Sequence, residues 1–180
     1  SGVLPSVMNL PFTVSQSDVD RLLSVHPVPR WPVGNYQIVL SPTITDQAGN
    51  LRGWLVGGPT PGPLTLKNIE GFDITDVAEL PGGGVVLLER RFRYSEGIKM
   101  RIRRIAEKDL HPGALIEGEI LLEATDANNI DNMEGIAAYR SSSGETILTL
   151  VSDDNFSPLQ RTLLLQFAIP ETKPATAAGR

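Results

Sequence analysis

Asn68-Ile69-Glu70-Gly71-Phe72 and Asn132-Met133-Glu134-Gly135-Ile136 read as one pattern written twice, 64 residues apart. The likeness runs on without a gap. Val86-Leu87-Leu88-Glu89-Arg90-Arg91-Phe92 lies over Leu150-Val151-Ser152-Asp153-Asp154-Asn155-Phe156, which sets Glu89 on Asp153 and Phe92 on Phe156. A third strand-like run follows each copy, residues 100–105 in one and 161–167 in the other. A β-meander repeated along a chain is the mark of blades set around an axis, an arrangement that protects sheet edges by radial repetition. The plainer alternative is coincidence between two meanders that share turn residues and Val/Leu runs. Acid at matching places in both copies stands against it.

Outward from the repeat, strand signals dominate. Residues 36–41, 51–56, 71–76, 85–92, 98–105, 116–124, 136–139, 146–152 and 162–169 are β-rich runs bounded by Gly, Pro, Asp, Asn or Ser. Residues 46–50, 82–84 and 141–144 read as turns, and residues 58–63, with three prolines among six, as loop. One short helix is expected after Ser17, which can cap it, with Val19, Leu22 and Leu23 as its apolar face and Pro27 beyond its end. The expected fold is all-β, with antiparallel four-stranded blades forming a β-propeller or part of one. Residues 1–66 make an irregular N-terminal segment that carries the first strands, 67–169 the blades, and 170–180 a flexible tail. Closed propellers need four to eight blades. Two to three are expected here, so a missing segment or another chain is expected to complete the ring.

Composition narrows the function classes. The net charge of −5 disfavours nucleic acid and anionic membranes, which attract basic surfaces. The chain has no cysteine, which rules out disulfides and thiolate metal sites. No apolar run reaches the length of a membrane span. Ser1-Gly2-Val3-Leu4-Pro5 reads as an internal start, with a leader removed or a longer chain cut.

Residues 73–92, Asp73-Ile74-Thr75-Asp76-Val77-Ala78-Glu79-Leu80-Pro81-Gly82-Gly83-Gly84-Val85-Val86-Leu87-Leu88-Glu89-Arg90-Arg91-Phe92, resemble the "TD-L-A-LP-G-LLLERRF" stretch of the phytase-like domain. Asp131-Asn132-Met133-Glu134-Gly135-Ile136 and Ser152-Asp153-Asp154-Asn155-Phe156, with Gln160-Arg161-Thr162-Leu163-Leu164-Leu165-Gln166-Phe167, are similar to its "DN-EG" and "SDDNF…QRTLL-F" signatures. The resemblance implies a β-propeller, a bacterial periplasmic or secreted setting, and an esterase-like activity on phosphate or carboxylic esters.

In such a fold, acids repeated once per blade converge near the axis. Carboxylates about 4 Å apart repel by roughly 4 kcal/mol at an effective dielectric of about 20, so a cluster of them wants a cation. Calcium takes oxygen ligands of the kind that Asp131, Asn132, Glu134, Asp153, Asp154 and Asn155 offer. The expectation is a calcium centre with Glu134 and Asp153 as ligands and Asp76 and Glu89 completing the ring, while Arg90 or Arg91 holds the anionic group of a small ester substrate. The plainer reading has these acids capping turns through their own backbone, and Arg90 and Arg91 paired with Asp153 or Asp154.

Lys99, Arg101, Arg103 and Arg104 alternate with apolar residues and are expected on an exposed outer strand defended by charge. His26 and His111 each lie beside a proline and make no zinc pattern. Ser141-Ser142-Ser143-Gly144 is a hairpin turn and no nucleophile elbow, and Gly82-Gly83-Gly84 opens no helix and so cradles no phosphate. A hydrolase is thus expected, with a non-catalytic propeller, or fragment of one, that binds a ligand or a protein as the alternative.

Overall fold

The computed structural model describes residues 12–16, 21–25, 36–57 and 60–169, and in these residues the chain forms three β-sheets. The first sheet is an antiparallel meander of β1 (Phe12–Gln16), β2 (Arg21–Val25), β3 (Tyr36–Thr45), β4 (Leu51–Gly57) and β5 (Gly62–Leu66). The second contains β6 (Asp73–Glu79), β7 (Val85–Arg93) and β8 (Gly97–Ile105). The chain then returns to the first sheet as a short parallel strand, β9 (Leu115–Ile116), beside β5. It completes the second sheet with β10 (Glu119–Thr125) beside β8, giving four antiparallel strands in the order β10-β8-β7-β6. The third sheet is the antiparallel set β11 (Met133–Arg140), β12 (Thr146–Ser152) and β13 (Leu164–Ile169).

Strand alternation sends the second sheet's side chains to two sides, and both are covered. Ile74, Val77, Val85, Leu87 and Ile105 pack with Ile38, Leu40, Leu55, Leu64 and Leu66 of the first sheet. Ala78, Val86, Leu88, Met100 and Ile102 pack with Met133, Ile136, Leu148 and Leu150 of the third. The molecule is therefore a stack, with the four-stranded sheet in the middle. This explains why Val85-Val86-Leu87-Leu88 is an unbroken apolar run, since a strand buried on both faces has no polar side to show.

Three expectations change. Leu22 and Leu23 lie in β2, and Ser17, Val19 and Pro27 fall outside the described residues. Leu23 pairs with Val14 on one side and Leu40 on the other, and a strand held at both edges outweighs a weak helical pattern. The loop expected over 58–63 gives way to β5 at Gly62, because a proline needs no ladder donor and the Pro63 carbonyl accepts from Gly113 N at 2.7 Å. The basic run is no outer strand. β8 lies between β7 and β10, and Arg101 and Arg103 are buried against the first sheet.

The repeat is structural, but its register differs from the sequence likeness. β6 carries a bulge between Ile74 and Asp76, and β11 carries one between Met133 and Gly135. Glu134 therefore corresponds to Thr75, while Glu70 lies ahead of β6 in a turn at φ 58°. Glu89 pairs with Ile74, and Ser152 with Met133, so the counterpart of Glu89 is Ser152 and not Asp153. The two hairpins share a shape, and their acids do not coincide.

The expected turns form, and one of them is tightly constrained. Gly84 closes the β6–β7 turn at φ 77°, and a Cβ there would lie 2.3 Å from the Ile105 carbonyl oxygen. Gly144, at φ 89° in the β11–β12 turn, has nothing within 4 Å of that position. Gly84→Ala is expected to cost about 3 kcal/mol or more and Gly144→Ala only about 1 kcal/mol. Urea unfolding of the two variants checks this, and equal losses would contradict the packing described.

Candidate functional site

The bulges decide where polar groups gather. A bulge re-aims its extra residue and is common beside active sites. In β11 that residue is Glu134, whose side chain is 43% exposed. Its Oε1 accepts a hydrogen bond from Asn132 Nδ2 and lies 3.8 Å from Arg90 Nη1 of β7. Asn132 is buried, and it holds Glu134 as an N–H donor, where oxygen ligation to a metal was expected of it. A separation of 3.8 Å exceeds a hydrogen bond, so the Arg90 guanidinium keeps donors for another partner. Arg90, Glu134 and Asn132 thus form one polar group across the seam between the middle and third sheets.

Asp76 lies deeper in the same seam. It is 4% exposed, its Oδ2 accepts from Ile136 N of β11 at 2.7 Å, and its Oδ1 accepts from Val77 N at 2.8 Å. Burial pushes its pKa from 3.8 to about 6 against the pull of these two N–H donors. The carboxylate cross-links two sheets. Beside it, a Cβ on Gly135 would meet Val151 Cγ1 at 2.8 Å, so the bulge in β11 favours glycine there.

The other expected residues are dispersed. Asp131 Oδ1 accepts from Asn132 N, and its Oδ2 accepts from Arg161 N at 3.0 Å. Asp153 Oδ1 accepts from Asn155 N and Asp154 Oδ1 from Phe156 N, the turn-capping bonds of the plainer reading. Asn155 Nδ2 donates to Gln160 Oε1. Glu89 is buried on the opposite side of the middle sheet, paired with Arg103, and burial raises its pKa despite that partner. Among the described residues no three His, Cys, Asp or Glu side chains come together in a way that could hold a metal. The arrangement does not fit the calcium ion expected of it, because these carboxylates are separated and satisfied by N–H donors.

The expected arginine pair also splits. Successive strand residues point to opposite faces, so Arg90 faces the third sheet and Arg91 the first. Arg91 donates to the Glu70 carbonyl and to Glu96 and lies over the Phe72 ring, so it is engaged away from Glu134. Neither arginine pairs with Asp153 or Asp154. Sequence reading missed the roles of Arg161 and Glu123. Arg161 bonds Asp131 and the Ile130 carbonyl, and Glu123 accepts from Arg101 at 2.5 Å. The "QRTLL" motif was the available signal for Arg161, and nothing local marked Glu123.

A protein-family model described as Phytase-like, "Esterase-like activity of phytase", matches residues 9–156. The matched span begins well ahead of the motifs quoted above and takes in the first two sheets and the hairpin of Asp131–Glu134. No curated protein and no solved structure matches the chain.

Asp76 makes a pH prediction. Its folded pKa of about 6 lies above the unfolded 3.8, so the stability tied to its protonated form is full below about pH 4 and is lost as pH rises through about 6. Two pKa units correspond to about 3 kcal/mol. Asp76→Asn is expected to flatten this part of the pH dependence while losing one cross-sheet hydrogen bond. Urea midpoints near pH 5 and pH 7 test it, and a variant with the wild-type slope would remove Asp76 as the cause.

Proposed function

This chain belongs to the phytase-like family, and on that premise we propose that it is an ester hydrolase whose reacting group sits between Arg90 and Glu134. The observation that carries this reading is the cross-sheet pair itself. A bulge-borne carboxylate is oriented by a buried amide and faces a guanidinium with donors to spare, both partly open to water. In this reading Glu134 takes a proton from water as the water oxygen attacks the ester carbon or phosphorus. Arg90 donates hydrogen bonds to the oxygen on which negative charge develops. The bond to the leaving oxygen then breaks, and the proton passes from Glu134 to that oxygen, so acid and alcohol leave with the elements of water added. General-base help of this kind is worth about 10²–10⁴ in rate, and one oxyanion donor about 10²–10³.

The face-to-face stack supports the same reading at the level of architecture. Three sheets packed in sequence are what neighbouring propeller blades look like, with β6 and β11 as inner strands. In this proposal a further segment or a second chain closes the ring, and the protein works in a periplasmic or secreted setting. No step is routed through calcium.

Glu134→Gln is expected to lower kcat on a chromogenic ester by about 10² or more with the urea midpoint little changed. Arg90→Met should lose a comparable factor. Wild-type turnover by Glu134→Gln would sink the assignment. A thermal scan with millimolar calcium or with EDTA is expected to give one midpoint, since an ion bound only by the folded state would raise it. A rise of several degrees with calcium would restore the ion to the mechanism.

A further inference from the structure

The third sheet stops one strand short of the second. The bulges align β6 with β11, so β7 answers to β12 and β8 to β13. In the second sheet β10 lies along the far side of β8, and Met100 and Ile102 of β8 are 0% and 1% exposed. Among the described residues no strand lies along the far side of β13. Its inward residues Leu165, Phe167 and Ile169 pack on the same core yet stay half-buried, and Leu164 on the other face is 69% exposed.

The phase of the ladder shows which backbone groups are left over. Ser152 N donates to the Leu163 carbonyl at 3.0 Å. Alternation then turns the N–H and C=O of Leu165, Phe167 and Ile169 to β12, and those of Leu164, Gln166 and Ala168 to the open edge. The sheet's other ladder agrees, since Ile136 N points away from β12 and donates to Asp76.

Charge narrows what the edge can accept. An edge strand is a template for pairing with another chain unless charge, proline or a bulge blunts it. Among the strands that end the second and third sheets, β6 carries Asp73, Asp76 and Glu79, β10 carries Glu119 and Glu123, and β11 carries Glu134 and Arg140. β13, Leu164-Leu165-Gln166-Phe167-Ala168-Ile169, has no charge, no proline and no bulge. A second β13 laid antiparallel about a two-fold axis at Gln166 brings no like charges together. Leu164 faces the copy's Ala168, and Gln166 faces Gln166, each pair exchanging two backbone hydrogen bonds. Between them, Leu165 of each copy meets Phe167 of the other on the inward side and extends the core. A two-fold interface needs a patch that complements itself, and this strand does.

We propose that β13 is a dimerisation edge, which pairs with β13 of a second copy of this chain to make one continuous sheet in the order β11-β12-β13-β13-β12-β11. The pairing is independent of Arg90 and Glu134 as a reacting centre. One strand pair buries less than the roughly 1,200 Å² of a stable interface, so a dissociation constant of about 10–100 µM is expected.

Sedimentation equilibrium of the full chain from about 2 to about 200 µM tests this, and a monomer that converts to a dimer across that range is expected. Ala168→Pro removes an N–H that β12 does not use, and Gln166→Lys sets two ammonium groups against each other on the axis. Each is expected to weaken the dimer about tenfold or more, with the urea midpoint at the lowest concentration little changed. Added salt is expected to restore part of the loss in the lysine variant alone. Should Ala168→Pro lose its fold, Gln166→Lys decides. A chain still monomeric at the top of the range, as it would be with a further segment of the protein along β13, overturns the proposal. So does a dimer that Gln166→Lys leaves intact, which would put the contact on another surface, or growth past the dimer into open-ended oligomers.

Discussion

Two guanidinium groups are taken out of water between the first and middle sheets, and the layout of the molecule depends on how they are satisfied. Arg103 is 0% exposed and Arg101 1%. A buried charge is tolerated only when it is paired and hydrogen-bonded. Arg103 donates to Glu89 and, from Nη1, to the carbonyls of Lys67 and Glu117. Arg101 donates to Glu70, to Glu123 and to the Ile69 carbonyl, and lies over the Phe72 ring at 4.0 Å. The segment that leaves β5 and the one that enters β10 are therefore both held to β8. Gly118, at φ 75°, allows the second approach, since a Cβ there would lie 3.0 Å from Arg103 Cγ and 2.7 Å from the Arg104 carbonyl oxygen. Glu89 Oε2 and Arg103 Nε remain buried without a hydrogen-bond partner, so even this well-supported pair is not fully satisfied.

The middle sheet thus has two unlike seams. Toward the first sheet, charge is buried and spent on structure. Toward the third, the interior is apolar, Asp76 is the one buried carboxylate among the described residues of the seam, and Arg90 and Glu134 stay partly open. Catalysis needs a charged group that is oriented yet not saturated. Glu134 meets that condition and Glu89 does not. The difference lies in a bulge that leaves one carboxylate partly open to water beside Arg90 and a regular ladder that seals the other against an arginine.

Much of this architecture was legible from local chemistry. Most strands from β3 onward, the turns at residues 46–50, 82–84 and 141–144, and the all-β class follow from period-two patterning and turn residues, because these act over a few residues. The family motifs marked Glu134, Asn132 and Asp131 as a group, of which Asn132 bonds Glu134 while Asp131 is turned to Arg161. Strand pairing itself is non-local. The short helix gave way to β2 because partners on both sides satisfied its backbone, and no window of sequence displays those partners.

By itself, the sequence determined most strands from β3 onward, the repeated hairpin and the family to which the chain belongs, since each is written in residue types at short spacing. Only the tertiary structure decided which charges are structural and which face a site. Arg101 and Arg103 read as surface residues until a second sheet covers them. Arg90 and Arg91 read as a pair until strand alternation divides them between two seams. Glu70 with Glu134 and Glu89 with Asp153 read as equivalents until the bulges shift the register. The physical reason is common to all three. A residue's charge is a property of its type, but its desolvation and its partners depend on what the rest of the chain places against it.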